Sequence, residues 1–166
     1  MLTAAHCTQG TVPRQISFGV GRHNTRVFET FSTTHDVVKI IQHPKFEDHY
    51  SYLLYDFSLL EVKPLISNPR ARAVCLPSLS DSNLKPGVMF TVSGWGSHHR
   101  QNGNRAERLQ ELNVPLLPDT ACKNSYPQID NLNSLFCAGF LEGGKDSCSG
   151  DSGGDSCWPC LIFFNW

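Results

Sequence analysis

The stretch Gly150-Asp151-Ser152-Gly153-Gly154 decides how this sequence is interpreted, together with the Lys145-Asp146-Ser147-Cys148-Ser149 that precedes it. Glycine on both sides of a serine lets the backbone approach another molecule closely and adopt the φ values of a tight turn. The amides of Gly150 and Ser152 would then point into one hollow, which stabilises negative charge developing on a carbonyl oxygen. A surface turn explains the same residues, since Gly, Ser and Asp are the commonest turn formers.

The position of Ser152 near the end of the chain limits where a partner base can lie. Gly-x-Ser-x-Gly also marks the nucleophile elbow of a second hydrolase fold, in which the histidine follows the serine. Residues 153–166 contain no histidine. A histidine base must therefore come earlier, which points to the order His, Asp, Ser along the chain.

Length and composition bound the class of protein. The 166 residues are enough for one ordinary domain or two small lobes, and the apolar share of 40% makes a packed core feasible. The net charge is −1, and the sequence has no basic stripe of the kind that nucleic-acid binding requires. No apolar run approaches membrane-spanning length. We therefore predict neither a nucleic-acid partner nor a membrane segment in this chain.

Seven cysteines are many for a cytosolic protein of this size and predict a secreted protein with disulfides. The odd number leaves at least one thiol without an internal partner. No basic or apolar leader precedes His6, so a secretory leader is expected outside this sequence. Cys157 and Cys160 form one Cys-x-x-Cys pair, which is weak evidence for a redox or zinc site. The adjacent His98 and His99 favour a solvated loop over a metal site.

Short apolar stretches separated by turn signals indicate an all-β barrel or sandwich. Asp119 is predicted to cap a short helix that runs through Lys123. The segment from Pro64 to Pro86 is rich in Pro, Ser, Asn and Arg and is typical of a crossing between two lobes. The predicted strands lie within residues 15–24, 36–42, 88–92, 109–117 and 135–140.

Asp56 lies in an aromatic and apolar environment and is expected to be at least partly buried. A buried carboxylate needs partners. From the residues alone, Asp56 either caps backbone amides at a strand end or orients a histidine. The neighbours His6 and Cys7 are likewise open to a structural or a catalytic interpretation.

Five motifs within positions 1–154 carry a resemblance to a known family, and they occur in the same order as in that family. They are Leu2-Thr3-Ala4-Ala5-His6-Cys7, Tyr55-Asp56-Phe57-Ser58-Leu59-Leu60, Val92-Ser93-Gly94-Trp95-Gly96, Phe136-Cys137-Ala138-Gly139 and Asp146-Ser147-Cys148-Ser149-Gly150-Asp151-Ser152-Gly153-Gly154. The chain resembles trypsin-like serine proteases of the S1 family, which have the chymotrypsin fold. The resemblance implies an all-β fold of two antiparallel Greek-key β-barrels with the active site in the cleft between them. It implies a partial N-terminal barrel over 1–68, a crossing segment over 69–86, a partial C-terminal barrel over 87–154 and an atypical tail over 155–166.

The resemblance also implies a secreted serine endopeptidase that cleaves after Arg or Lys through an acyl-enzyme. Ser152 would be the nucleophile, His6 the general base and Asp56 the group that orients His6. The amides of Gly150 and Ser152 would line the oxyanion hole. Asp146 would lie at the floor of the specificity pocket. Asp151 would form an ion pair with the new N-terminal amine that activation creates. The implied partners are polypeptide substrates and serine protease inhibitors, with no cofactor and no metal.

The sequence departs from the family pattern at both ends. The Ile-Val-Gly-Gly-type start, the opening strands and the last strands are absent, so both barrels are expected to be incomplete and Asp151 to be exposed or buried without a partner. The resemblance implies a disulfide between Cys122 and Cys137. Cys7 and Cys148 match cysteines whose partners lie outside the chain, and Cys75 matches one that bridges to the missing C-terminal region or to a pro-segment. The alternative function is a catalytically silent, protease-like binding module.

Overall fold

The computed structural model describes residues 1–49, 52–74, 85–97, 104–129, 135–145, 147 and 150–152, together with the backbone of residues 161–162. Strands dominate this part of the chain, and the all-β prediction is confirmed. The elements are β1 (Leu2–Thr3), a 3-10 turn (Pro13–Gln15), β2 (Ser17–Val20), β3 (Thr33–Gln42), β4 (Glu47–His49), β5 (Tyr52–Leu54), β6 (Ser58–Lys63), β7 (Met89–Gly94), β8 (Gln110–Pro115), α1 (Asp119–Ser125), β9 (Phe136–Cys137) and β10 (Leu161–Ile162).

The largest sheet among the described residues has four antiparallel strands in the order β1-β6-β3-β2. Its buried side chains include Val20, Val37 and Leu60. The strand predicted over 36–42 begins earlier, because Thr33 and Thr34 pair with the end of β2. Thr is a β-branched residue that suits a pleated strand.

The second half of the chain packs around the pairing of β7 with β8, in which Phe90 lies opposite Val114. Val92, Val114 and Ala138 form a buried cluster there. The strand predicted over 135–140 is shorter than expected and ends at Cys137. Beyond it Ala138 forms only an isolated bridge, and Gly139 has a φ of 142°.

Helix α1 begins at Asp119, but its N-cap position is occupied by Pro118 and no side chain caps it. The prediction that Asp119 is the cap is therefore wrong. Asp119 lies instead in the first helical turn, where a carboxylate interacts favourably with the helix dipole. The described residues include no helix with the length and apolar character needed to cross a membrane.

Several contacts among the described residues join the first half of the chain to the second. His23 O accepts hydrogen bonds from Leu109 N–H at 2.8 Å and from Trp95 Nε1–H at 3.0 Å. Tyr52 and Leu54 of β5 pack against a buried cluster that contains the disulfide Cys122–Cys137. The structure thus contains the disulfide that the family resemblance implies. Most of the predicted crossing segment, residues 75–84, lies outside the described residues.

Candidate active site

The pairing of β1 with β6 brings His6 and Asp56 together across 50 residues of sequence. Leu2 lies opposite Leu59 and Thr3 lies opposite Ser58. His6 follows shortly after β1 ends, and Asp56 comes just before β6 begins. Because β1 and β6 are antiparallel, the residue that follows β1 and the residue that precedes β6 lie at the same end of this strand pair.

Asp56 forms two hydrogen bonds to the same histidine. Its Oδ1 accepts from the backbone N–H of His6 at 2.8 Å, and its Oδ2 accepts from His6 Nδ1 at 2.6 Å. Asp56 is only 4% exposed. The two interpretations of this carboxylate were a cap on backbone amides and an orienter of a histidine, and these bonds have the geometry of both. The second bond leaves Nε2 as the ring nitrogen that faces away from Asp56.

The turn that carries His6 is fixed by buried polar side chains. Thr8 Oγ1 donates to Ala5 O at 3.0 Å, and it lies 2.9 Å from the Oγ of Ser58, which is fully buried. Gln42 Nε2 donates to both Ala5 O and Thr8 Oγ1 at 3.1 Å. These bonds tie the turn to β3 and β6, so that the imidazole of His6 has a rigid support.

The charge state of His6 is set by its two polar neighbours. The hydrogen bond to Asp56, and after it the hydrogen bond to Cys7, raise the pKa of His6 to about 10 against the opposing effect of burial. The Sγ of Cys7 lies 3.4 Å from Nε2. His6 is therefore an imidazolium at neutral pH in this geometry, with Nδ1–H donating to Asp56 and Nε2–H to the sulfur.

Asp151 lies against the last residue of β7, Gly94, and against Gly96 just beyond it. Asp151 Oδ1 accepts a hydrogen bond from Gly96 N–H at 2.6 Å. The side of Gly94 that would carry a Cβ also faces the Asp151 carboxylate, so both glycines leave room for it. Gly150 has a φ of 102°, and Ser152 is exposed in the turn that follows.

Known proteins resemble this chain over most of its length. The Trypsin family matches residues 1–156. The chain belongs to the trypsin family. It is 39% identical over 155 residues to Trypsin-2 of Salmo salar, 40% over 157 residues to Cationic trypsin-3 of Rattus norvegicus and 41% over 158 residues to Anionic trypsin of Bos taurus. Each match covers 93% of this chain and 62%, 59% and 59% of the three relatives, respectively, so the chain spans about three fifths of their length.

The trypsin-family chain brings together part of the predicted site. His6 is bonded to Asp56. Asp151, which was expected to be exposed or buried without a partner, is half-buried and accepts a hydrogen bond from Gly96. The expectation of an unpartnered Asp151 is therefore wrong. The catalytic roles of His6, Asp56 and Ser152 stay predictions. Several further predictions concern positions outside the described residues, namely Asp146, Cys75, Cys148, the His98-His99 pair and the Cys157 and Cys160 pair.

Sequence reasoning missed two features of this site. The first is the room that Gly94 and Gly96 leave for Asp151, although two glycines separated by one residue are a recognisable signal of a close approach. The second is the contact of Cys7 with His6 Nε2. The side chains of two adjacent residues need not touch each other, so the sequence gives no signal for this contact.

Replacement of Gly96 by alanine is expected to lower the free energy of unfolding by about 1–3 kcal/mol. The new methyl group would overlap the carboxylate of Asp151, which is held by the amide of the same residue. Urea denaturation of the variant measures the loss. Gly19→Ala is the matched control, because its methyl group would meet only the flexible side chain of Arg22 at ordinary contact distance. Equal stability of the two variants would contradict the packing described.

Proposed function

We propose that this chain carries the catalytic residues of a secreted serine endopeptidase that hydrolyses peptide bonds after Arg or Lys. The observation that carries the proposal is the buried Asp56 carboxylate held against His6 Nδ1 at 2.6 Å. An imidazole that is oriented by a buried carboxylate on one nitrogen presents the other nitrogen as a base. Family membership supports a serine protease, and the seven cysteines support secretion.

The proposed mechanism follows the general scheme of the family and is carried over from it. Neutral His6 accepts the proton of Ser152 Oγ as this oxygen attacks the peptide carbonyl. His6 then gives the proton to the leaving amine, and an acyl-enzyme remains. A water molecule, deprotonated by His6, then attacks the acyl carbon. The bond from this carbon to Ser152 Oγ breaks, the acid leaves, and His6 returns the proton to Oγ. Asp56 stabilises the imidazolium in both steps, and the amides of Gly150 and Ser152 donate to the oxyanion.

The substrate preference and the activation step are also taken from the family scheme. The carboxylate of Asp146 would attract Arg or Lys side chains, and inhibitors that imitate such substrates would bind the same cleft. A protein N-terminal ammonium is proposed to pair with Asp151. Asp151 lines a cavity of about 160 Å³ with Val92 and Ser147. The proposed lobes are residues 1–68 and 87–154, joined by 69–86.

The proposal is tested with short peptide amides that differ only in the residue before the cleaved bond. Hydrolysis is expected for Arg and Lys and not for Glu, and it is expected to disappear in Ser152→Ala. The exposed serine of β2 provides a matched control, Ser17→Ala, which is expected to keep the activity. Hydrolysis that survives in Ser152→Ala would overturn the proposed nucleophile. Preference for an acidic residue would overturn the proposed specificity.

The rate is expected to rise steeply with pH, because only neutral His6 accepts a proton. With a pKa raised to about 10, the neutral fraction grows from pH 7 and saturates only above that value. Between pH 7 and 9 the rate is expected to rise about tenfold per pH unit. Cys7→Ala removes the second cause of the raised pKa and is expected to shift the profile to lower pH. Hydrolysis rates across this range measure the profile.

A flat profile over this range would contradict the His6 environment described. The same conclusion would follow if Cys7→Ala left a rising profile unchanged. Asp36→Asn, which removes an exposed carboxylate on β3, is the control for general charge effects and is expected to leave the profile in place.

A further inference from the structure

His43 contacts the two residues that flank Asp56. Its ring centroid lies 4.9 Å from that of Tyr55 with an interplanar angle of 14°, and 4.5 Å from that of Phe57 with an angle of 45°. The backbone N–H of His43 also donates to Phe57 O at 3.0 Å. All three side chains are half-buried. One side chain therefore contacts both sequence neighbours of Asp56, and we call His43 with Tyr55 and Phe57 the His43 clasp.

Tyr55 and Phe57 of the His43 clasp are the first and last residues of a three-residue turn with Asp56 at its centre. Phe57 N–H donates to Tyr55 O at 2.8 Å, which closes the turn. Tyr55 has a φ of 51°, in the left-handed region that bulky residues rarely adopt. A tyrosine persists in this conformation only where its surroundings hold it. The stack on His43 is a contact that does so, and the direction of the Asp56 carboxylate depends on the shape of this turn.

The ring of His43 is itself fixed. Lys45 N–H donates to His43 Nδ1 at 3.2 Å, so neutral His43 carries its proton on Nε2. The ammonium of Lys45 lies 5.7 Å from the centroid of the Tyr55 ring, within the range of a cation–π contact. The residues that follow β3 thus hold the ring in the plane that Tyr55 requires for stacking.

We propose that His43 is a positioning residue, whose aromatic stack with Tyr55 and Phe57 holds the Asp56 carboxylate in place against His6. The catalytic consequence rests on the proposed function, whereas the effect on the bond between Asp56 and His6 does not. Displacement of a positioned group by about 1 Å costs up to about 100-fold in rate. Loss of the stack is therefore expected to lower turnover and to leave substrate binding nearly unchanged.

The test separates the ring of His43 from its hydrogen bond. His43→Asn keeps an acceptor for Lys45 N–H and loses the ring, whereas His43→Phe keeps a ring and loses the acceptor. In His43→Asn, kcat is expected to fall about tenfold with KM within about twofold. The pKa of His6, followed by NMR, is expected to fall from about 10 by about one unit or more. In His43→Phe, both kcat and the pKa of His6 are expected to stay close to those of the parent chain.

The matched control is His49→Asn, because His49 also stacks on a tyrosine, Tyr52, with ring centroids 4.6 Å apart, but neither residue flanks Asp56. It is expected to leave the pKa of His6 unchanged. If His43→Asn does not fold, Tyr55→Leu removes the same stack and is expected to give the same changes. An unchanged pKa of His6 in a folded variant without the stack would overturn the inference, as would a His43→Phe variant that loses as much as His43→Asn.

The NMR measurement needs no turnover, so it keeps this inference separate from the proposed function. If the chain hydrolyses nothing and the pKa of His6 still falls in His43→Asn, the proposed function fails and the positioning role stands. If the chain is active and neither kcat nor the pKa responds, the proposed function stands and the positioning role fails.

Discussion

Replacement of Asp56 by asparagine is expected to lower the limiting kcat about 10⁴-fold, the size that the same change has in the triad of the trypsin family. The physical reason lies in the two bonds from His6. Asparagine still offers an oxygen to the His6 backbone N–H, but its NH₂ group would face Nδ1 and donate to it. The ring proton then lies on Nε2, which can no longer accept from Ser152.

The rates are compared at their high-pH limits, because Asp56→Asn also removes the main cause of the raised pKa of His6. Asp36→Asn is the matched control, since Asp36 is an exposed carboxylate on β3, and it is expected to retain the rate of the parent chain. A loss of less than about tenfold in Asp56→Asn would mean that the carboxylate does not set the tautomer.

Removal of the disulfide in the double variant Cys122→Ala/Cys137→Ala is expected to lower the free energy of unfolding by about 3 kcal/mol. The two cysteines are separated by 15 residues, and the closed loop limits the unfolded chain. Both cysteines are also buried in the cluster with Ile129 and Leu135. Urea denaturation under oxidising conditions measures the difference.

The control for this experiment is Cys7→Ala, because Cys7 is exposed and forms no disulfide. Its expected effect on the free energy of unfolding is within about 1 kcal/mol. The addition of a reducing agent is expected to destabilise the parent chain and to leave the double variant unaffected. If the double variant were as stable as the parent, the bridge would not restrict the unfolded chain as described.

The sequence predicts the strands well where apolar residues alternate with polar ones, or where turn residues lie at both ends of an apolar stretch. The β7–β8 pair lies where apolar residues predict it, and its Val92 and Val114 are buried. The hairpin of β4 and β5 was not predicted, because every residue of Glu47–His49 is exposed and no apolar period marks it. Local propensity also misplaced the cap of α1, where Pro118 precedes the first helical residue.

The candidate site was predictable only in part. From the residues alone, the role of Asp56 stayed open between a cap and an orienter. The meeting of His6 with Asp56 depends on the long-range pairing of β1 with β6, which no local pattern encodes. The family resemblance did imply that His6 and Asp56 meet, because it assigns Asp56 the role of orienting His6. The resemblance gave no indication of the stack of His43 on Tyr55, because this contact joins a strand end to a turn through side-chain packing.

The central claim is that His6 and Asp56 activate Ser152, and covalent labelling with a fluorophosphonate at about pH 9, where more of His6 is neutral, tests it most directly. Peptide mapping of the labelled 166-residue chain is predicted to place the adduct on Ser152, with labelling lost in Ser152→Ala and His6→Ala and retained in Ser17→Ala. Folded protein that takes up no label, or takes up the same amount after Ser152→Ala, would contradict the account and favour a silent binding module.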